Sequence, residues 1–514
     1  MSNQSTENNR LPVAPLKIAA LESCRDLAEK VNAHLVRMRA AGAEATDERR
    51  RSLHYRGYDA DSYLLSINCP RFGTGEGKGV INESVRGADL FVMVDVTNYS
   101  LTYKVDGNEN HMSPDDHFQD LKRIIAAGGA AAHRVNVIMP FLYEGRQHRR
   151  TKRESLDCAY MLTELANMGI ENFITFDAHD PRVQNATPLS GFDNFMPTYQ
   201  FIKTCFLNIP DMKADKDHLM IISPDEGAMD RAIYISNILG VDIGMFYKRR
   251  DYSKVVDGRN PIVAHEFLGA SVKDKDVLII DDMISSGESM MDTAKNLKDR
   301  GCKRVIVCAT FGLFTNGVKS FREKYDAGII DYVCTTNLNY RRPELLEEPW
   351  YLEADMSPYL AYIIDSLNAD ASSGDKLSST RKIQDFLKNL QNEEYQYFGS
   401  IIRQTSARLA ALRSGADSDK ETASERAAMA GLPDLDLILV ANWSGPLKLD
   451  ADGNLRYRVP LPHYNGRLRV MTAAWNPDKT GSGEQTAIVK APVVAELQSP
   501  RYLSQGDSGV FTLR

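Results

Sequence analysis

The sequence predicts an α/β protein of two tandem domains with mostly parallel sheets, followed by a β-sandwich-like C-terminal segment. Three observations carry that expectation. From about residue 16 to 368, short β-rich runs alternate with helical patterns. Beyond residue 368 the composition turns flexible and charged, and from about residue 432 helical periodicity gives way to short β runs. The chain has 514 residues and 43% apolar content, enough for sizeable cores and for two to four domains.

Taken in chain order, residues 1–15 open on the polar MSNQSTENNR and are expected to be a disordered N-terminus with no apolar export segment. Eight runs read as strands: LFVMVDV (90–96), RVNVIMP (134–140), NFITFD (172–177), LMIISPD (219–225), DIGMFYK (242–248), VLIIDD (277–282), RVIVCAT (304–310) and IDYVCTT (330–336). So many strands with helices between them exceed one small sheet. Two α/β domains, 16–190 and 191–390, follow, with the break near residues 185–200. Tyr99–His117 is polar and turn-rich and reads as a surface insertion before a helix beginning near Phe118. ADASSGDKLSST (369–380) is a linker pattern, and RKIQDFLKNL (381–390) an amphipathic helix. Residues 391–431 read as a helical and charged linker. Residues 432–514 hold LILVAN, GRLRVMTAAW and TAIVKAPVVAEL with Trp443 and Trp475, and read as part of a β-sandwich.

Charge and cysteine usage exclude several function classes. The formal net charge is −7, so the basic footprint of a nucleic-acid binder is missing, and small anionic ligands would need local basic sites. No apolar run approaches 18 residues, so no membrane span is expected, and the reading is cytoplasmic. Cys24, Cys69, Cys158, Cys205, Cys302, Cys308 and Cys334 are odd in number and never spaced C-x-x-C. That pattern disfavours a disulfide framework and a structural zinc site, leaving reduced, buried thiols.

The most informative stretch is Val277 to Ser289, VLIIDDMISSGES. A buried strand delivers Asp281 and Asp282 to its C-terminal edge, where open α/β sheets place ligands. Ser285, Ser286, Gly287 and Ser289 then form a small-residue loop opening a helix from Met290 to Leu297. Such a loop aims backbone N–H groups and the helix's positive end at one point, which suits a phosphate dianion. The two carboxylates accept hydrogen bonds only, which suits vicinal ribose hydroxyls. The alternative is an acidic turn and helix cap with no ligand. Glu288 would repel a phosphate unless it points to solvent.

This run resembles the phosphoribosyl-pyrophosphate loop of type I phosphoribosyltransferases and of ribose-phosphate pyrophosphokinases. Further segments resemble the pyrophosphokinases in chain order over about residues 16–390: Phe72-Gly-Thr-Gly-Glu76 with Glu83-Ser-Val-Arg-Gly87, Arg146-Gln147, TFDAHD (175–180), Ser223 to Arg231, Tyr247 to Asp251, and TFGLFTNG (310–317). Taken alone, each has a plainer reading, such as a polar strand end for His179 or a solvated basic edge for Lys248 and Arg250. The resemblance implies two tandem type I phosphoribosyltransferase-like domains. It also implies that Asp281, Asp282 and the 285–289 loop, Glu288 included, hold ribose 5-phosphate. His179 and Asp225 would then position Mg2+, Lys248 and Arg250 would steady the transferring phosphates, and Glu76, Arg146 and Gln147 would bind ATP. Thr74 stands where an asparagine is common, and His148 and Thr151 depart from the family's mixed-charge loop.

The implied reaction is pyrophosphoryl transfer from ATP to ribose 5-phosphate, giving AMP and phosphoribosyl pyrophosphate for nucleotide biosynthesis. A homo-oligomer, dimer or hexamer, is expected to complete the ATP site. Two other readings stay open: a phosphoribosyltransferase, and a non-catalytic regulatory homologue. The tail, about 432–514, resembles a fragment of a bacterial α2-macroglobulin-like protein. No cysteine follows Cys334, so the tail cannot carry that family's thioester, and a structural appendage is expected.

Overall fold

The computed structural model describes residues 12–42, 57–250, 262–371 and 378–389, and four short strands between 466 and 513. The chain divides into two compact units, the first comprising Met1–Thr405 with Ala428–Ala430 and the second the remainder.

Two large sheets dominate the first unit. In the first, β1 (Leu16–Ala20), β2 (Asp89–Met93), β3 (Arg134–Ile138), β4 (Asn172–Phe176) and β5 (Gly191–Phe195) lie side by side in chain order, all parallel. In the second, β6 (Leu219–Ser223), β9 (Asp276–Ile284), β10 (Arg304–Gly312), β11 (Tyr332–Thr336) and β12 (Tyr351–Ala354) repeat that parallel order. This sheet is widened on the β6 edge by β7 (Asp242–Arg250), parallel to β6, and β8 (Ile262–Gly269), antiparallel to β7.

The repeat extends to a buried ion pair. Asp89 and Arg134 begin neighbouring strands as register partners, with Arg134 Nε donating to Asp89 at 2.7 Å. Asp276 and Arg304 occupy the same places in the second sheet, again with an Nε to carboxylate bond of 2.7 Å. Both aspartates are almost fully buried and both pairs are two-pronged forks. A fork of this kind satisfies the carboxylate at a strand start that water cannot reach. Two sheets of one order carrying the same pair make the tandem domains a physical repeat.

Helices cover the sheets. The longer ones are α1 (Arg25–Gly42), α2 (Pro114–Gly128), α3 (Asp157–Asn167), α4 (Thr198–Asn208), α5 (Met229–Leu239), α6 (Glu288–Asp299), α7 (Lys319–Asp326), α8 (Ser357–Asn368) and α9 (Ser379–Asn389). Ser113 caps α2 in a reciprocal box with Asp116, and Pro114 takes the first turn, so the helix begins four residues before Phe118. The segment ahead of it is a small hairpin, Thr102–Val105 with Asn108–His111. α8 returns to the first sheet, where Met356, Tyr359, Leu360 and Ile364 share a core with Ile18, Val31, Phe91 and Phe176. One apolar cluster thus joins the two halves of this unit. Among the described residues no helix is long and apolar enough to cross a membrane.

In the second unit Gly466–Trp475 pairs antiparallel with Thr480–Val489, and Leu497–Gln498 with Thr512–Leu513. The LILVAN run, Trp443 and the helical and charged linker read over 391–431 lie outside the described residues.

Candidate active site

The C-terminal ends of the two sheets supply one cluster of charged side chains. Asp281 and Asp282 lie within β9, which runs two residues further, to Ile284. The turn Ser285–Gly287 follows, and α6 begins at Glu288. Gly287 has φ 84°, and a Cβ there would sit 2.3 Å from the Phe321 ring. Only glycine fits both the left-handed backbone and the close approach. Leu313 N–H donates to Ile284 O at 2.9 Å and Thr315 N–H to Ser285 O at 3.0 Å, so the 310–317 stretch braces the loop from outside. Glu288 and Ser289 are exposed in the first turn of α6. Its exposure answers the objection to Glu288, because the carboxylate stands in solvent.

Gly287→Ala is expected to cost about 1–3 kcal/mol from the backbone conformation and a similar amount from overpacking against Phe321. Urea denaturation of the full chain reads it, and a loss under about 0.5 kcal/mol would contradict the tight-turn argument.

Behind the loop, Asp282 accepts a 2.6 Å bond from His179 Nδ1. His179 follows β4 of the first sheet, so this bond joins the two halves. Arg231, in the first turn of α5, donates through Nε to Asp177 at 2.5 Å and stands 3.8 Å from Asp282. Thr310 Oγ1, near the end of β10, donates to the other Asp177 oxygen at 2.5 Å. Asp177 is 3% exposed and Arg231 12%, so this is a buried charge network.

The environment pushes the two neighbouring carboxyls apart. Burial raises Asp281 well above the ordinary carboxylate range, and the negative charges of Asp282 and Asp225 add to it. Burial acts on Asp282 in the same sense, but the His179 bond and the Arg231 charge outweigh it and hold the group low. The Asp282 bond in turn raises His179. Asp225 lies in the β6–α5 turn, where it accepts from Gly227 N–H at 3.0 Å. Asp225 thus faces the Asp281–Asp282 pair closely enough for its charge to act on Asp281.

His148 stands beside this cluster, its ring 5.6 Å from that of His179, with Nδ1 2.9 Å from Asp180. Asp180 is held down at about 2, chiefly by its bond from Arg182. A lowered carboxyl contributes stability that is full above its ordinary value of 3.8 and disappears as pH falls through about 2. Asp180→Asn should therefore cost about 1 kcal/mol near neutrality, the solvent around exposed Arg182 screening the rest. Thermal unfolding across the acid range checks this: the gap from wild type should close in strong acid. A constant gap would assign the loss to something other than charge.

Family models match this architecture in two pieces. Residues 16–169 match the N-terminal domain of ribose phosphate pyrophosphokinase, and residues 200–341 the phosphoribosyl transferase domain. The chain belongs to the ribose-phosphate pyrophosphokinase family. Its enzyme class is that of this family. The chain is 28% identical over 323 residues to the ribose-phosphate pyrophosphokinase of Vibrio cholerae, spanning 61% of this chain and 92% of the relative. It is also 28% identical over 271 residues to that of Mycoplasma genitalium, spanning 52% and 74%. The phosphoribosylpyrophosphate synthetase of Mycobacterium smegmatis shares the fold, with a TM-score of 0.54 and 21% identity over 70% of this chain and all of that one.

The remaining residues singled out on the pyrophosphokinase resemblance lie on separate segments, Glu76 and Arg146–Gln147 in loops and Lys248 and Arg250 on β7. Glu76 is exposed and accepts from Thr74 Oγ1 at 2.9 Å, so the residue at the asparagine position orients it. Arg146 is exposed, whereas Gln147 is half-buried and its amide donates to Arg149 O and Ser155 O, bracing its own loop. β7 stays extended through Arg250, with a register shift against β8 between Arg249 and Arg250. The side chains of Lys248 and Arg250 lie outside the described residues.

Sequence reasoning did not single out Asp177, Arg231, Thr310 or His148 as site residues. The first three sat inside motifs already quoted, and for Asp177 an ionisable residue at a strand end facing another such end was the available signal.

Proposed function

We propose that this chain transfers the pyrophosphoryl group of ATP to the anomeric hydroxyl of ribose 5-phosphate, giving AMP and phosphoribosyl pyrophosphate for nucleotide synthesis. The observation that carries this reading is the cross-sheet junction of His179 with the acidic pair of a ribose-phosphate loop, in a chain of this family. Asp281 and Asp282 would accept from the ribose hydroxyls, and the amides of 285–289 at the start of α6 would receive the 5-phosphate. Transfer of this type depends on in-line positioning and on neutralising phosphoryl charge. Lys248 and Arg250 would supply cations to the transferring group. Glu76, Arg146 and Gln147 would hold the nucleotide.

Mg2+ belongs to the same reading, because carboxylates are the hard oxygen donors it prefers. When bound it would neutralise phosphate charge, with Asp225 and His179 as its positioning residues. A homo-oligomer that completes the nucleotide site and a cytoplasmic location belong to the same reading, as does a structural role for residues 432–514.

AMP release should require both ATP and ribose 5-phosphate and should stop when the divalent cation is chelated. Release of pyrophosphate from phosphoribosyl pyrophosphate with a nucleobase would favour a phosphoribosyltransferase instead. Ligand binding with no turnover would favour a regulatory homologue.

A further inference from the structure

Three cysteines far apart in sequence meet in the core of the second domain. Cys308 and Cys334 are register partners on the parallel strands β10 and β11, and Cys205 comes from α4, which covers that face. All three are fully buried. Their sulfurs lie within 4.8 Å of one another, and the Cys205 and Cys308 sulfurs are 3.6 Å apart. The surroundings are apolar, with Phe201, Ile202, Ile306 and Leu352 in the same cluster.

Ligand number and charge decide what such a site can take. Bonds of about 2.3 Å place three sulfurs roughly 4.0 Å apart around a planar metal and about 3.5 Å apart around a pyramidal trivalent centre, close to the 3.6 Å between the Cys205 and Cys308 sulfurs. Among the described residues the group is three His, Cys, Asp or Glu ligands and no more, whereas a structural zinc site is closed by four. Copper(I) tolerates three thiolates but leaves two negative charges in an apolar core, which is costly without cations to pair them. A trivalent thiophilic metalloid needs three sulfurs and leaves no net charge.

We propose that Cys205, Cys308 and Cys334 form a trigonal thiol site for a trivalent metalloid of the arsenite or antimonite class. Three thiols and one arsenous acid molecule exchange ligands: three As–S bonds form, three As–OH bonds break, and each thiol proton leaves with a hydroxide as water. Arsenic stays trivalent and no electrons move. The site is independent of the proposed pyrophosphoryl transfer, since none of the three thiols belongs to the charged cluster.

The test uses the full-length reduced protein incubated with sodium arsenite, desalted, and assayed for bound arsenic by elemental analysis. About one arsenic per chain is expected, with a thermal midpoint raised by the ligand because binding stabilises the folded state. Cys205→Ser and Cys308→Ala should each reduce retention at least about tenfold, since two thiols lose the third bond. Cys69→Ser, outside the cluster, should leave it unchanged. Cys308→Ala keeps the core apolar and serves if the serine variant fails to fold. Retention far below one arsenic per chain in wild type, or equal retention in the Cys308→Ala protein, would overturn the site.

Discussion

Arg231→Ala should destabilise the first unit by about 3–5 kcal/mol, the range for removing one partner of a buried ion pair. Arg231 is the cation facing Asp177, which is 3% exposed and has Thr310 as its other bonded neighbour. Deleting the guanidinium leaves a buried carboxylate with one hydroxyl donor, and it also removes positive charge from beside Asp282. A double variant, Arg231→Met with Asp177→Leu, should recover most of the loss, because the uncompensated charge then disappears. Urea denaturation of the two variants against wild type reads both numbers. If the double variant is no more stable than Arg231→Ala, packing of the arginine stem rather than charge holds the junction.

The eight strands legible in the sequence are the eight interior strands of the two sheets, β2 to β4, β6, β7 and β9 to β11. The four that were not legible are the four edges: β1, β5, β8 and β12. The physical reason is burial. Interior parallel strands are covered on both faces and read as unbroken apolar runs such as LMIIS, whereas the edge strand GFDNF is partly exposed and mixes polar residues into the run; β1, LKIAA, is buried but short and interrupted by Lys17. The site divides in the same way. Asp281 to Ser289 is contiguous, so its order of residue types carries its geometry. The junction Asp177–Arg231–Thr310 spans 133 residues at its widest, and Cys205 stands 103 residues from Cys308. Such meetings depend on strand order, and strand order here was set partly by the edges that sequence patterns leave faint.

Asp282→Asn should then show what the junction contributes to substrate. The substitution keeps the shape but removes the charge that bonds His179 and faces Arg231. A hydrogen bond to a charged group is worth about 1.5–3 kcal/mol, so apparent affinity for ribose 5-phosphate should fall by roughly 10- to 200-fold. Because the Asp282 charge raises His179, the imidazole of the variant should also titrate lower than in wild type, which NMR of the histidine ring reads directly. The sign follows from the pair. Its contribution to stability is full below the ordinary histidine value of 6.5 and is lost as pH rises through the raised one, provided Asp282 is ionised. The variant should therefore lack the alkaline decline in thermal midpoint that this pair is expected to give wild type. A variant whose His179 titrates as in wild type would uncouple the two halves at this point. A fall in affinity with His179 shifted down would place the sugar grip and the cross-sheet bond on the same carboxylate.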